Sequence, residues 1–96
     1  MVMTTLEAHV EPEKWAALEA AFRTGTERPE PGIVRAHLVH NSADSSLWRL
    51  MAFWSSHEAL EQMRSSGETP RGVRMFRAAG AEPVLSIFDV AAEVSL

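Results

Sequence analysis

Histidine and arginine side chains are the groups in this sequence best suited to acid–base chemistry. His9 and His37 each stand in a stretch where polar and apolar residues alternate, and Arg49 interrupts an apolar stretch. Histidine changes charge near neutral pH and can act as a general acid or base, whereas arginine can stabilise an oxyanion. We therefore name His37, Arg49 and His9 as candidate catalytic residues. The alternative is that they form a charge network in a sheet or a subunit interface, since structural networks also contain ionisable groups.

Tryptophan and methionine side chains suggest a second kind of site, an apolar pocket for a flat ligand. Aromatic rings stack on tryptophan, and methionine adapts to irregular apolar shapes. The alternative is that these side chains only fill the core. An arginine every three residues from 71 to 77 is consistent with a basic rim or with a solvated helix face. The candidate substrate-binding residues are Trp48, Trp54, Met63, Phe76 and Arg74.

Metal and cofactor sites have little support in the sequence. Glu7, His9 and His37 have the types of a two-histidine, one-carboxylate iron site, but they fall on strands that the predicted fold separates. No phosphate-binding or nucleophile-elbow motif is present. The chain has no cysteine, which excludes disulfides and thiolate ligands. We therefore expect no metal and no cofactor.

Size and charge narrow the class of protein. Ninety-six residues predict one domain, residues 1–96. A formal charge of −4 argues against nucleic-acid binding, which favours a basic surface. No stretch has the roughly 20 apolar residues of a membrane span, and the N-terminus has no signal-peptide pattern. We expect a cytoplasmic protein with no membrane partner.

Periodicity and turn signals place the candidate residues on alternating strands and helices. Alternation predicts strands over residues 3–10, 32–41, 47–54 and 82–94. A first helix is predicted from Glu11 to Gly25, and a short extra helix from Pro70 to Ala79. Between them, Ser55 and Glu58 fit a capping box that starts a helix ending near residue 66.

The order βαββαβ predicts an α+β, ferredoxin-like domain with a four-stranded antiparallel sheet and its helices on one face. The residues expected to face the helices are Leu6, Ala8, Val10, Val34, Ala36, Leu38, Trp48, Leu50, Ala52, Phe88 and Val90. The residues expected on the opposite face are Glu7, His9, Arg35, His37, Val39, Asn41, Arg49, Met51, Phe53, Leu85, Ile87 and Asp89. Since the second set would leave a large apolar patch in water, we predict a homodimer that covers it.

With this layout, residues 31–94 resemble the antibiotic biosynthesis monooxygenase (ABM) family of dimeric α/β-barrel proteins. The matching residues are Trp48 to Trp54, Ser56, Glu58 to Leu60, Phe76-Arg77, Gly80 to Pro83, Ile87 to Val90 and Pro31 to Ile33. The resemblance implies two chains whose sheets close into a barrel, each with a cavity between its sheet and its helices. Some members oxidise aromatic polyketides with dioxygen and no cofactor, and others degrade haem.

The resemblance implies a cofactor-independent monooxygenase that acts on an aromatic or polyketide-like small molecule. The alternative is a non-catalytic ligand-binding or stress-associated dimer of the same fold. The chain departs from the family in having no tyrosine, so the residue set of the quinone-forming members is incomplete. Met63 and Val73 occupy the positions of the haem degraders' tryptophan and histidine, which argues against haem degradation.

Overall fold

The sheet carries all its helices on one face. The computed structural model describes residues 1–96 and confirms the predicted α+β, ferredoxin-like order. The strands are antiparallel and lie in the order β2-β3-β1-β4. Their bounds are β1 Val2–His9, β2 Ile33–His40, β3 Leu47–Trp54 and β4 Val84–Asp89. The helices are α1 Trp15–Thr26, after a 3₁₀ turn at Pro12–Lys14, α2 His57–Ser65 and α3 Arg71–Ala78.

Helix α2 begins one residue later than the predicted capping box requires. The Ser56 hydroxyl, not that of Ser55, accepts the cap hydrogen bond, from the backbone N–H of Ala59 at 3.1 Å. The prediction of Ser55 is wrong because its backbone N–H donates to the carbonyl of Gly32 at 2.8 Å. That bond keeps the chain extended at Ser55, and the helix can start only after it.

Helix α1 continues through Gly25, the residue predicted to end it. Gly25 instead allows a close contact, since a Cβ at this position would lie 2.3 Å from the terminal methyl of Met75. The glycine therefore marks the packing of α1 against α3 and not a helix end.

The face predicted for strand β4 is wrong. Leu6 lies opposite Leu85 and Thr4 opposite Ile87, and directly opposed residues share a face. Leu85, Ile87 and Asp89 therefore lie on the helix side, and Phe88 on the outer side. Both alternating sets of β4 are apolar, so the sequence pattern does not choose between two registers that differ by one residue.

Strand β2 carries an irregularity that also moves two predicted positions. The register shifts between Ile33 and Arg35, so that Ile33 lies opposite Trp54 on the helix side. Val34, predicted to face the helices, is instead exposed. A single extra residue in one strand produces this kind of shift.

Strand β4 also ends earlier than the predicted Val94. The backbone N–H of Val90 donates to the carbonyl of Met1, at the start of its neighbour β1. Val94 and Leu96, beyond the end of β4, are exposed.

The core consists of two separate clusters on the helix side of the sheet. The larger one joins β1 and β3 to α1 and α3 and includes Leu18, Trp48 and Phe76. The smaller one joins the other end of the same strands to α2, through Trp54 and Leu60. No helix combines the length and the apolar character that crossing a membrane requires.

Candidate functional site

Small side chains form the floor of a cavity between the two core clusters. Thr4, Ala52 and Ala36 lie opposite one another in one row across β1, β3 and β2. The neighbouring rows carry larger groups: Leu6 and Leu50 on one side, and Trp54 and Ile33 on the other. Because three short side chains lie between larger ones, the helices cannot pack down evenly. The resulting cavity has a volume of about 260 Å³.

Helices α2 and α3 form the roof of this cavity. Leu60 and Met63 line it from α2, and Val73 and Met75 from α3. Gly72 lets the start of α3 approach the sheet closely, since a Cβ there would lie 2.7 Å from methyl groups of Leu6 and Leu50. The cavity is therefore lined mainly by apolar groups.

One hydrogen-bonded pair brings polarity to the cavity floor. The indole N–H of Trp54 donates to the hydroxyl of Thr4 at 3.1 Å, and both residues are buried. The other hydroxyl of the lining, that of Thr26, donates to the Phe22 carbonyl at 2.7 Å. Thr4 therefore supplies the one hydroxyl that the strands contribute to the cavity lining.

Charged side chains surround the mouth of the cavity. The Nε of Arg71 lies 3.2 Å from the Oε1 of Glu30, which joins the start of α3 to the loop before β2. Arg64, in the last turn of α2, pairs with Glu61 at 3.3 Å. Glu68 completes the charged lining. An apolar interior with a charged rim suits a ligand with an apolar body.

Sequence comparison identifies the family of this scaffold. The family model described as antibiotic biosynthesis monooxygenase matches residues 1–79. The chain belongs to this family. A search of curated proteins finds no match.

Solved structures agree with the ABM family fold. The chain is similar to SnoaB, a cofactor-independent oxygenase from Streptomyces nogalater, at 18% identity, 97% and 95% coverage of the two chains and a TM-score of 0.71. It is similar to Rv0793 from Mycobacterium tuberculosis at 19% identity, 98% coverage of each chain and a TM-score of 0.70. A conserved protein from Methanosarcina mazei has 15% identity, 91% and 89% coverage and a TM-score of 0.70.

The predicted binding residues of this ABM chain do not all meet in the cavity. Trp54 and Met63 line it. Phe76 is fully buried in the larger cluster, and Trp48 is buried there with its ring stacked on His40 at 4.0 Å between centroids. Arg74 is exposed and outside the lining. Trp54 and Met63 thus keep a geometric basis as binding residues, and the role of all five stays a prediction.

The predicted catalytic residues lie on the other face of the sheet, and each has a different contact partner there. Arg49 donates through Nε to the Glu7 carboxylate at 2.7 Å. The Nδ1 of His9 lies 2.7 Å from the Ser46 hydroxyl, and the His37 ring packs edge-on to Phe53 at 6.3 Å. The sheet separates all three from the cavity of their own chain. His37, on β2, is also two strands away from His9 on β1.

The His9 contact continues to an acidic residue of the β2–β3 turn. The Ser46 hydroxyl donates to the Asp44 carboxylate at 2.8 Å, and the Ser46 backbone N–H donates to the same oxygen at 3.1 Å. These two hydrogen bonds hold the pKa of Asp44 below its ordinary value of 3.8. They hold the turn together internally, and the backbone N–H of Val10 joins the turn to the end of β1 by donating to the Ser46 carbonyl at 2.8 Å.

Sequence reasoning missed three residues of the cavity in this family member. Arg71 was visible in the arginine stripe, and its pairing with Glu30 depends on where the turn-rich loop folds back. Glu30 carries no sequence signal of its own. Thr4 alternates in step with Leu6 and Ala8, which indicates the helix side of β1, but its hydrogen bond with Trp54 depends on the β1–β3 register, which the sequence does not specify.

Proposed function

We propose that this chain is a cofactor-independent monooxygenase that binds an aromatic or polyketide-like small molecule between its sheet and its helices. The observation that carries the proposal is the apolar cavity of about 260 Å³ on the scaffold of the ABM family. A cavity of this volume is close to the lower end of the range for small-molecule sites.

The chemistry expected of such a site comes mainly from the ligand. An aromatic ketone or phenol with an acidic C–H bond forms a carbanion when it loses a proton. That carbanion can reduce dioxygen itself to a hydroperoxide, which takes the abstracted proton back. Loss of water, with the second hydrogen of the same carbon, then leaves a carbonyl group. The protein then has to exclude water and stabilise the developing negative charge, as preorganised donors do.

Thr4 and Trp54 are the groups positioned for this second task. The Thr4 hydroxyl accepts from the Trp54 indole, so its own hydrogen is free to turn towards a ligand oxygen. Around it, the floor and the roof supply apolar contacts. At the mouth, Arg71 and Arg64 supply positive charge and Glu30 and Glu68 supply carboxylates.

Oxygen uptake with a cavity-filling variant tests the proposal. Dithranol and a panel of hydroquinones serve as substrates. Ala36→Leu places a larger side chain in the cavity floor, and Ala20→Leu places the same change on the exposed side of α1. We expect uptake above background for the wild type and for the α1 variant, and a loss of at least tenfold for Ala36→Leu with its thermal unfolding intact.

Uptake at background for the wild type across the whole panel would reject the enzymatic proposal. Equal uptake by the two variants would place the reaction outside this cavity. Ligand binding by the two variants gives a second test of the site. We expect Ala36→Leu to weaken binding and Ala20→Leu to leave it unchanged.

A second candidate function is binding of the same class of ligand without turnover. The observation in its favour is the composition of the lining, which contains no histidine and no lysine. Its ionisable groups are confined to the rim, and the candidate acid–base residues lie across the sheet. Thermal stabilisation by aromatic compounds without oxygen uptake would select this function.

We further propose that the chain is a homodimer, with the outer face of the sheet as its interface. Phe88, Val84 and Val39 are exposed there, and Met51 and Phe53 are partly exposed beside them. Val84→Glu should shift the protein towards a monomer in light scattering, because it would bury a charge. Val94→Glu, the same change at an exposed position beyond β4, should leave the mass unchanged. A monomeric wild type at micromolar concentration would reject the interface.

A further inference from the structure

A second cavity adjoins the first one at its mouth. Its volume is about 220 Å³, and it lies between α2 and the segment that leads into α3. Four residues line both cavities: Glu30, Met63, Glu68 and Pro70. The two cavities are therefore adjacent, with these four side chains at their boundary.

The lining of the second cavity differs in chemistry from that of the first. Only two of its nine lining residues are hydrophobic, compared with 11 of 21 in the first. The hydroxyl of Ser66 is already used, since it donates to the Met63 carbonyl at 2.8 Å and accepts from the Glu68 N–H at 3.3 Å. The polar side chains that line it are Glu30, Gln62, Ser66, Glu68 and Thr69.

The charges are distributed unequally between the two cavities. Arg64 and Arg71 line only the first, whereas Glu30 and Glu68 border both. No lysine, arginine or histidine lines the second cavity. The Nε of Arg71 lies 3.2 Å from the Oε1 of Glu30, so this carboxylate faces a cation on the side of the first cavity. The charged groups that line the second cavity are therefore two carboxylates, Glu30 and Glu68.

We propose that the second cavity binds a hydrogen-bond-donating arm, an ammonium or a hydroxyl group, of a ligand whose apolar body occupies the first cavity. The inference rests on the proposed function, because it requires the first cavity to hold that apolar body. It assigns the substrate to a narrower class: an aromatic compound with a neutral or cationic polar arm, and not one with an anionic arm.

A series of naphthalene probes separates the two cavities. Isothermal titration with 1-ethylnaphthalene measures the first cavity alone. The same ring with an ethanol, an ethylammonium or an acetate arm measures the contribution of the second. For the wild type we expect the ammonium and hydroxyl probes to bind more tightly than the parent, and the acetate probe to bind more weakly.

The variant Glu68→Gln tests whether the Glu68 carboxylate binds the ammonium group of the probe. Since an exposed ion pair contributes little, we expect the variant to lower affinity for the ammonium probe by about twofold to fivefold. Affinity for 1-ethylnaphthalene should not change. Glu58→Gln makes the same charge change on an exposed residue of α2 that lines neither cavity, and it should leave all four affinities unchanged.

Three results would overturn the inference. Tightest binding of the acetate probe would show that Arg64 and Arg71 select an anion. Equal binding of all four probes would show that the second cavity is not used, while the proposed function stands. No binding of any probe, the parent included, would reject the inference together with the proposed function.

Discussion

The two faces of the sheet differ in what covers their apolar side chains. On the helix side, large residues at both ends of the strands are covered by helices, and the short row of Thr4, Ala52 and Ala36 is left beneath a cavity. On the outer side no element of the chain covers the strands. There, Phe88, Met3 and Phe53 lie in one row, and Glu7 pairs with Arg49 two rows away.

The two faces therefore present apolar surface of different shape, enclosed on the helix side and open on the outer side. The helix side encloses a volume of small-molecule size, whereas the outer side mixes apolar and charged side chains, since Arg35 lies opposite Phe53 and Arg49 pairs with Glu7. An open, mixed face suits a protein partner, and an enclosed apolar volume suits a small ligand. The candidate acid–base residues belong to the open face, and two of the candidate binding residues, Trp54 and Met63, line the enclosed volume.

The largest expected effect compares two phenylalanines, one on each side of the sheet. Phe76→Ala removes a fully buried ring from the larger cluster and should cost about 3–5 kcal/mol of unfolding free energy. Phe53→Ala removes a half-exposed ring from the outer face and should cost about 1 kcal/mol in the monomer. Urea denaturation measures both.

The same two variants should also differ in how their loss of stability depends on protein concentration. If the outer face is a dimer interface, the cost of Phe53→Ala should grow with concentration, while that of Phe76→Ala should not. Equal costs for the two variants at every concentration would remove the distinction between the two faces.

A smaller effect is expected from a comparison of two glycines, Gly72 in α3 and Gly25 in α1. Gly72→Ala drives a methyl group into Leu6 and Leu50, and should destabilise the fold by about 1–2 kcal/mol despite its better helix propensity. Gly25→Ala meets only the flexible end of Met75, so its stability should stay within about 1 kcal/mol of the wild type. Thermal unfolding measures both changes. A larger loss for Gly25→Ala would show that Met75 cannot move.

The cap of α2 gives an effect of about 1 kcal/mol. Ser56→Ala removes the acceptor for the Ala59 N–H, which should destabilise the fold by about that amount. Ser55→Ala keeps the backbone bond to Gly32 and should change stability by no more than about 0.5 kcal/mol. The reverse order in urea denaturation would place the cap at the position that the sequence pattern favours.

The smallest effect concerns pH on the outer side. Hydrogen bonds from Ser46 lower the pKa of Asp44 in the folded state, so the stability they add is present above pH 3.8 and is lost as the pH falls through the folded value. Asp44→Asn should therefore lose less stability than the wild type on acidification. Glu93→Gln, in the C-terminal segment, should follow the wild type. Parallel acid curves for all three proteins would contradict the assignment.

The sequence predicts the fold well for two reasons. Period-two alternation runs along the strands, and turn residues mark where most elements begin and end. It fails for β4, where Val84 and Phe88 are as apolar as Leu85 and Ile87. It fails at Val34 because an irregularity of one residue leaves no trace in the alternation. Both errors concern register, which is set by pairing between distant strands.

The candidate site is predictable only in part, for a related reason. Trp54 and Met63 are identifiable by residue type and by their place in a strand and a helix. Thr4 and Glu30 acquire their roles from partners 50 and 41 positions away along the chain, Trp54 and Arg71. Such pairings follow from the folded topology and not from local spacing.

The division of the core into two clusters predicts that the helices differ in local stability. Helices α1 and α2 each have one fully buried residue, Leu18 and Leu60. Helix α1 also packs Trp15, Ala21 and Phe22 against the larger cluster, which it shares with α3, whereas α2 adds only Ala59 and Met63 to the smaller one. Segments with fewer buried contacts unfold locally at lower free energy than the rest of a protein. Amide hydrogens of α2 should therefore exchange with solvent faster than those of α1. A ligand in the cavity would contact this helix through Leu60 and Met63, and its binding should slow that exchange.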